Sequence, residues 1–443
     1  MKKLLLIFIF IFSALPSFAY DVAFPLEKEL ILEQDGVFFI GKVNKKETVW
    51  INDKKVEVKK NGSFAETFKL LVGDNIFYVG NNENRKQDKY IITRIKPKDT
   101  QTKLSEFSAQ DYKTVCNNVI LRATPVDFGM NRLGYLPKNT DLQITGEKNE
   151  FSRVYLNKNL SGWVMTKHIM PEQRENTTVG EYRGESVNTD SNNTVYCYKF
   201  SKNLPYSVVL NNNRLMIDVY NVENRPNETF HSEIVLPKPN CYSAKMNDGV
   251  LSIGIQQNSL KHLKIVIDAG HGGKEPGAVG CLGDIEKDMN LKTAKALKNE
   301  LKSKGYDVVM TRKSDKYVSL NDRVNYAISK HGIIFISLHM NSIPESADPN
   351  THKGTGTYYY TDFSKPLAEN IQAETVKSLG TKDNGITQAS FAVIRPTEYV
   401  GVLVETAYMI NPEDVELYKS KDFFKKVAIG VANGVNKYLK ELQ

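Results

Sequence analysis

At Lys264 the rhythm of apolar residues changes, and that change limits the fold more than any other feature of the chain. Before it, short runs such as Val37-Phe38-Phe39-Ile40, Thr48–Ile51, Lys55–Val58 and Asn75–Val79 are separated by polar turns at Asn61-Gly62 and Gly73-Asp74. After it, continuous apolar runs of strand length take turns with faces of helical period. Lys264–Ala269 is followed by Ile285–Lys304, where Leu291, Ala294, Leu297 and Leu301 share one helical face. A strand at Tyr306–Met310, a helix at Asn321–Lys330 and a strand at Gly332–Leu338 continue the series. Then come a strand at Gly356–Tyr360, a helix at Lys365–Leu379 and a strand at Val400–Val404. A last helix burying Phe424, Val427, Val431, Val435 and Leu439 closes it. Residues 262–443 are therefore expected to form a three-layer α/β domain behind small all-β modules. In open sheets of that kind, ligands bind in the crevice at the carboxyl ends of the strands.

The candidate chemistry gathers at that crevice. Of seven histidines, two end apolar strands beside small residues: His271 in Gly270-His271-Gly272, and His339 in Ser337-Leu338-His339-Met340-Asn341. Glu286 opens the helix after the glycine loop, and Glu405 follows Val400–Val404. A carboxylate at the end of a buried strand needs a partner or a proton. Two histidines and one carboxylate form a common set for catalytic zinc, with one coordination position left for water. Sequence alone leaves Glu286 and Glu405 free to exchange the roles of ligand and acid/base.

The segments Ile267-Asp268-Ala269-Gly270-His271-Gly272-Gly273, Gly277-Ala278-Val279-Gly280 and Glu286-Lys287-Asp288-x-Asn290-Leu291 resemble those of the zinc-dependent N-acetylmuramoyl-L-alanine amidases. So do Thr311-Arg312-x-x-Asp315 with Leu320-x-x-Arg323, Ser337-x-His339-x-Asn341 and Leu403-Val404-Glu405-Thr406-Ala407-Tyr408-Met409-Ile410-Asn411. The resemblance runs in order from Lys264 to Gln443. It implies one zinc ion on His271, Glu286 and His339, with Glu405 as catalytic acid/base. Zinc would lower the pKa of its water to about 7 and polarise the lactyl carbonyl. Glu405 would pass the proton to the leaving amine of L-alanine. Asp268, Asn290 and Asn341 are candidates for supporting the ligands or the substrate. Arg395 is a candidate for meeting a stem-peptide carboxylate, whereas Arg312 and Arg323 read as packing residues. Thr406-Ala407-Tyr408 departs from the commoner small-Gly-Phe. No long insertion separates His339 from Glu405, so the autoinhibitory helix of some relatives is not expected. A zinc peptidase cutting within the stem peptide, or an inactive wall-binding scaffold, are the competing readings.

Upstream, the spacing of Gly41, Val49-x-Ile51-Asn52, Asn61-Gly62-x-Phe64 and Gly73-x-Asn75 resembles an immunoglobulin-like β-sandwich, expected over residues 22–97. A Lys/Thr/Ser/Gln-rich linker is expected at Lys96–Ala109. Val119–Pro125, Gly134–Thr140 and Ser161-Gly162-Trp163-Val164 resemble a bacterial Src-homology-3-like barrel over residues 110–171. Strands at Thr194–Tyr198, Tyr206–Leu210, Arg214–Tyr220 and Val250–Ile255 give a further β-sandwich over residues 177–258, weakly similar to the amidase N-terminal targeting module. Residues 1–19 read as a secretory signal: Lys2-Lys3, an apolar run Leu4–Phe12, then Ser17-Phe18-Ala19. The expected product is exported to the periplasm, wall or exterior, monomeric, and directed at peptidoglycan, with room for a protein activator. Its net charge of +8 suits a polyanionic wall, but the lysines are scattered, which argues against nucleic acid. Four cysteines, Cys116, Cys197, Cys241 and Cys281, without a C-x-x-C pair permit disulfides in an exported protein, with Cys197–Cys241 the most plausible pair and free cysteines the alternative.

Overall fold

The computed structural model describes residues 20–44, 47–96, 103–172, 179–190, 193–256 and 263–442; the expected signal segment lies outside them. Residues 20–96 form two sheets. Tyr20–Phe24, Gly36–Val43 and Ser63–Lys69 make a three-stranded sheet, and Glu29–Leu32, Asp88–Arg94, Gly73–Gly80, Val49–Ile51 and Lys54–Val56 a five-stranded one. Phe39, Phe64, Phe77, Tyr90 and Ile92 fill the space between them. A seven-stranded antiparallel sheet follows, from Ser105–Thr114 to Ile169–Pro171. Its first strand takes in residues expected to be linker. Ser105–Asp111 alternates polar and apolar side chains loosely, but its backbone pairs with Asp141–Lys148, and the sheet supplies the order that the composition does not. The third β unit has a four-stranded sheet (Tyr182–Thr189, Asn193–Phe200, Val250–Gln256, Tyr242–Asn247) and a three-stranded one (Tyr206–Asn211, Arg214–Tyr220, Thr229–Val235).

That unit corrects the expected Cys197–Cys241 disulfide, since all four cysteines are free. Cys197 is in register with Ser252, and Ser252 with Lys245, so the strand following Cys241 lies two positions away in the sheet. Two strand spacings amount to about 9–10 Å, beyond the roughly 7 Å Cα limit for a disulfide.

The C-terminal domain is a six-stranded mixed sheet in the order Asp307–Met310, Lys264–Ala269, Ile334–Asn341, Val400–Tyr408, Thr355–Tyr359, Asp383–Gln388. The first four strands are parallel, and Thr355–Tyr359 runs antiparallel to Val400–Tyr408. Side chains alternate between two cores. Ile265, Ile267, Ile334, Ile336, Val402 and Val404 meet helices α1 (Glu286–Ser303), α3 (Lys365–Leu379) and α5 (Phe423–Glu441). Val266, Phe335 and Leu403 face α2 (Leu320–Ser329) and the turn Ala392–Ile394. Burying each such side chain contributes about 1.5–3 kcal/mol, which explains why these strands read as unbroken apolar runs.

The boundaries of α3 follow from chemistry that the sequence displays: Pro366 in the first turn and Gly380 in the left-handed conformation at its end. Two elements were not expected. Asp383–Gln388 is a polar edge strand, and α4 (Pro412–Tyr418) is a short helix capped by the Asn411 side chain. The strands carrying His339 and Glu405 also run further than expected, so both residues lie inside their strands.

Candidate active site

The carboxyl end of Lys264–Ala269 turns through Gly270–Gly273, with His271 itself at a positive φ of 58°. Such a conformation persists only where the surroundings hold it. Here Arg323 donates to the carbonyls of Ala269 (2.7 Å) and His271 (2.8 Å) and to Asp268 Oδ1 (2.6 Å). Arg312 donates to the carbonyls of Ala269 (2.8 Å), Gly270 (2.9 Å) and Lys287 (2.7 Å). Asp315 receives the Gly273 N–H and pairs with Lys287 at 2.7 Å. The loop is thus fixed by side chains from the segment that follows the Asp307–Met310 strand and from α2.

Onto this frame come two imidazoles and a carboxylate. The donor atoms of His271, Glu286 and His339 lie within 4.8 Å of one another. His271 Nε2 is 3.2 Å from Glu286 Oε2, and His339 Nδ1 is 2.9 Å from Glu286 Oε1. Gly270 makes this approach feasible, because a Cβ there would stand 2.2 Å from the His339 ring. Glu286 is the first residue of α1, where a negative charge is favoured. Its carboxylate also accepts the N–H groups of Ala278 (2.8 Å) and Met340 (3.2 Å) and the Asn290 amide (3.1 Å). Burial works against its ionisation, but the hydrogen bonds from His271 and His339 outweigh it and hold the group well below the usual carboxylate range. Burial would lower the pKa of His339, yet Glu286 and Glu405 together push it up to about 8.

Glu405 stands beside this set in register with His339 on the adjacent parallel strand. Its Oε2 is buried and has no hydrogen-bond partner. Burial, reinforced by the charge of Glu286 and opposed by His339, pushes its carboxyl up to about 8. The two acids that sequence left interchangeable are therefore distinct: one is enclosed by donors, and the other keeps a free oxygen. A borderline-soft divalent ion such as zinc suits two imidazoles with one carboxylate, and the unpartnered Glu405 oxygen beside them leaves a group available for proton transfer.

The model of the family described as N-acetylmuramoyl-L-alanine amidase matches residues 265–437. The N-acetylmuramoyl-L-alanine amidase LytC of Bacillus subtilis is 39% identical over 178 residues, which are 39% of this chain but only 35% of that protein. The sporulation-specific N-acetylmuramoyl-L-alanine amidase of the same organism is 35% identical over 180 residues, 39% of this chain and 67% of its own length. The crystal structure of an N-acetylmuramoyl-L-alanine amidase from Clostridium difficile, 32% identical, covers 40% of this chain and 97% of its own, with a TM-score of 0.39. The chain belongs to the N-acetylmuramoyl-L-alanine amidase family. Its match to LytC spans about a third of that longer protein, and the family match lies wholly within the C-terminal domain of this amidase-family chain.

The remaining candidates fall in different places. Asn290 touches Glu286 and the Gly270 carbonyl. Asp268 accepts from Thr311 (2.5 Å), Arg323 and Ser337 (2.8 Å), and among the described hydrogen bonds it makes none to either histidine. Asn341 hydrogen-bonds to Tyr358, whose phenol is also raised by burial and by the Glu405 charge. The signal that places it is register, since Gly356 is opposite Glu405 and Tyr358 opposite Leu403. Arg395 lies before Val400, at the amino end of the Glu405 strand, where it donates to Ser390 and lies near Arg132, Tyr135 and Tyr360. Five residues of strand, about 16 Å, separate that end from Glu405, so the structure does not bring Arg395 to the rim. The Ala278 and Met340 N–H donors were missed because backbone amides carry no residue signature.

Proposed function

We propose that the chain is a zinc-dependent N-acetylmuramoyl-L-alanine amidase that cleaves peptidoglycan between N-acetylmuramic acid and the L-alanine of the stem peptide. The observation that carries this reading is the convergence of His271, Glu286 and His339 beside a Glu405 oxygen without a partner. Those three side chains would hold a single zinc ion, which when bound supplies Lewis acidity toward water and a carbonyl oxygen. The protein's own groups supply the rest. Asn290 and the N–H groups of Ala278 and Met340 keep Glu286 ionised and oriented. Arg312 and Arg323 hold the His271 loop in place. Glu405 takes a proton from the attacking water and delivers it to the L-alanine nitrogen as the C–N bond breaks. A carboxyl that burial raises well above the usual carboxylate range suits both halves of that transfer.

The wider reading is an exported, monomeric wall enzyme. Residues 1–19 would be its leader. Immunoglobulin-like, Src-homology-3-like and targeting-like units would precede the catalytic domain, and a protein activator is compatible with this layout. No helix among the described residues is long and apolar enough to cross a membrane. The test is digestion of purified peptidoglycan by residues 20–443 with and without a zinc chelator, with products read by mass spectrometry. Stem peptides beginning at L-alanine, lost with chelator and with Glu405→Ala, are expected. Cuts within the stem would replace this reading with a peptidase.

A further inference from the structure

The strand Gly36–Val43 breaks the alternation of a strand with one wet face: residues 36–41 are all buried. Val37 and Phe39 enter the core between the two N-terminal sheets. Phe38 and Ile40 point the other way and join, with Ala65, the buried cluster that includes the catalytic domain. That second face and its edges meet residues 342–354. Gly36 lies so close that a Cβ there would stand 3.0 Å from the Ser346 Cα. The Asn350 amide donates to the Ala65 carbonyl at 3.0 Å, and the Thr67 hydroxyl to the Ala347 carbonyl at 3.5 Å. The Asn61 amide donates to the Pro412 carbonyl at 3.2 Å, while its own carbonyl accepts from Ser63.

The position of these segments gives the contacts their meaning. Residues 342–354 leave the His339 strand directly after Asn341 and re-enter the sheet at Thr355, next to Gly356, the partner of Glu405. Pro412 lies just past the end of the Glu405 strand. The N-terminal sheet therefore grips both segments that leave the rim, and Asn411 ties them together through the Pro349 carbonyl at 2.7 Å. The docked unit does not cover the site, because the His271 side chain remains 30% exposed. The buried face of Phe38, Ile40 and Ala65 supplies adhesion, while the single hydrogen bonds and the close backbone approach set register.

We infer, resting on the amidase reading, that the N-terminal two-sheet unit is a positioning element of the active site. It holds residues 342–354 beside the rim that carries His339 and Glu405 and so sets affinity for the muramoyl-peptide rather than the rate of bond cleavage. The experiment uses the full chain in four forms: wild type, Asn61→Ala with Asn350→Ala, Gly36→Leu and Gly36→Ala. The first variant removes hydrogen bonds from both sides of the contact, and the second wedges it apart. Hydrogen exchange across residues 344–354 is expected to quicken about tenfold or more in both variants. KM for a soluble muramoyl-peptide should rise about 3–10-fold with kcat within about twofold. Gly36→Ala, a smaller wedge, should give an intermediate KM and guards against a folding defect in the Leu variant. Unchanged exchange, unchanged KM, or a fall in kcat alone would overturn the inference. If the wild type released no stem peptide, the amidase reading would fall on its own, and exchange would still decide whether the clamp exists.

Discussion

Two polar clusters sit side by side at the carboxyl end of the Lys264–Ala269 strand, and they follow opposite rules. In one, Asp268 is enclosed by Thr311, Ser337 and Arg323, and the Arg312 and Arg323 guanidiniums are directed at backbone carbonyls. In the other, Glu405 keeps a buried oxygen without a partner. A closed network fixes shape, whereas an open one retains unused capacity to bind or react. The same contrast divides the two glutamates of the rim: donors hold Glu286 ionised, and burial pushes Glu405 up to about 8. The proposed chemistry falls where satisfaction is incomplete, next to a frame where it is complete.

The sharpest test of that contrast is Glu405→Gln. It should lower kcat by roughly 10²–10⁴-fold without lowering thermal stability, since it replaces an acid that resists ionisation. Undiminished turnover would erase the distinction between the clusters. Arg323→Ala attacks the frame instead. It strips Asp268 of its cation and the His271 carbonyl of a donor, and should cost about 3–5 kcal/mol in urea unfolding, although every candidate ligand remains.

Acidity offers a third test, on protein freed of metal. The folded value for Glu405 lies above its usual 4.5, so the native state holds this proton more tightly than the unfolded chain does. Its contribution to stability is complete below pH 4.5 and disappears as pH rises through about 8. His339, also raised to about 8, loses stability over a higher part of the same range. Unfolding free energies of wild type and Glu405→Gln from urea titrations should therefore diverge between pH 5 and 8 by on the order of a few kcal/mol, with the wild type losing more. Parallel curves would contradict the burial-driven value. The smallest effect is expected from Asn290→Ala, which removes a donor from both Glu286 and the Gly270 carbonyl. Zinc affinity, read by competition with a chelating dye, should weaken about 10–100-fold, and urea unfolding of the buried site should cost about 1–3 kcal/mol.

Much of the site was legible because its residues end apolar runs. His271, His339 and Glu405 stand out as polar groups at the ends of buried apolar runs, and α3 announces itself through Pro366 and Gly380. What escaped notice lacked such contrast. Asp383–Gln388 is an edge strand with few apolar side chains to give it a period, and Asn411-Pro412-Glu413-Asp414 is a capping signal attached to a helix too short to show one. The roles of Asp268 and Arg395 depended on direction rather than identity. Asp268 turns into the frame, and Arg395 lies ahead of the amino end of the Glu405 strand, away from the rim. The unbroken run Val37–Ile40 did register as a strand, but that both its faces are covered emerged only with the other domains in place.

Gly270 has a bearing on how related sequences should be read. Its missing side chain is the space in which the His339 ring rests, with an added methyl falling 2.2 Å from that ring. A homologue with alanine there would retain every histidine and glutamate of the site yet have no room to bring them together. Screening genomes for intact metal donors alone would count such a protein among the living enzymes; the hydrogen atom at position 270 separates it from them.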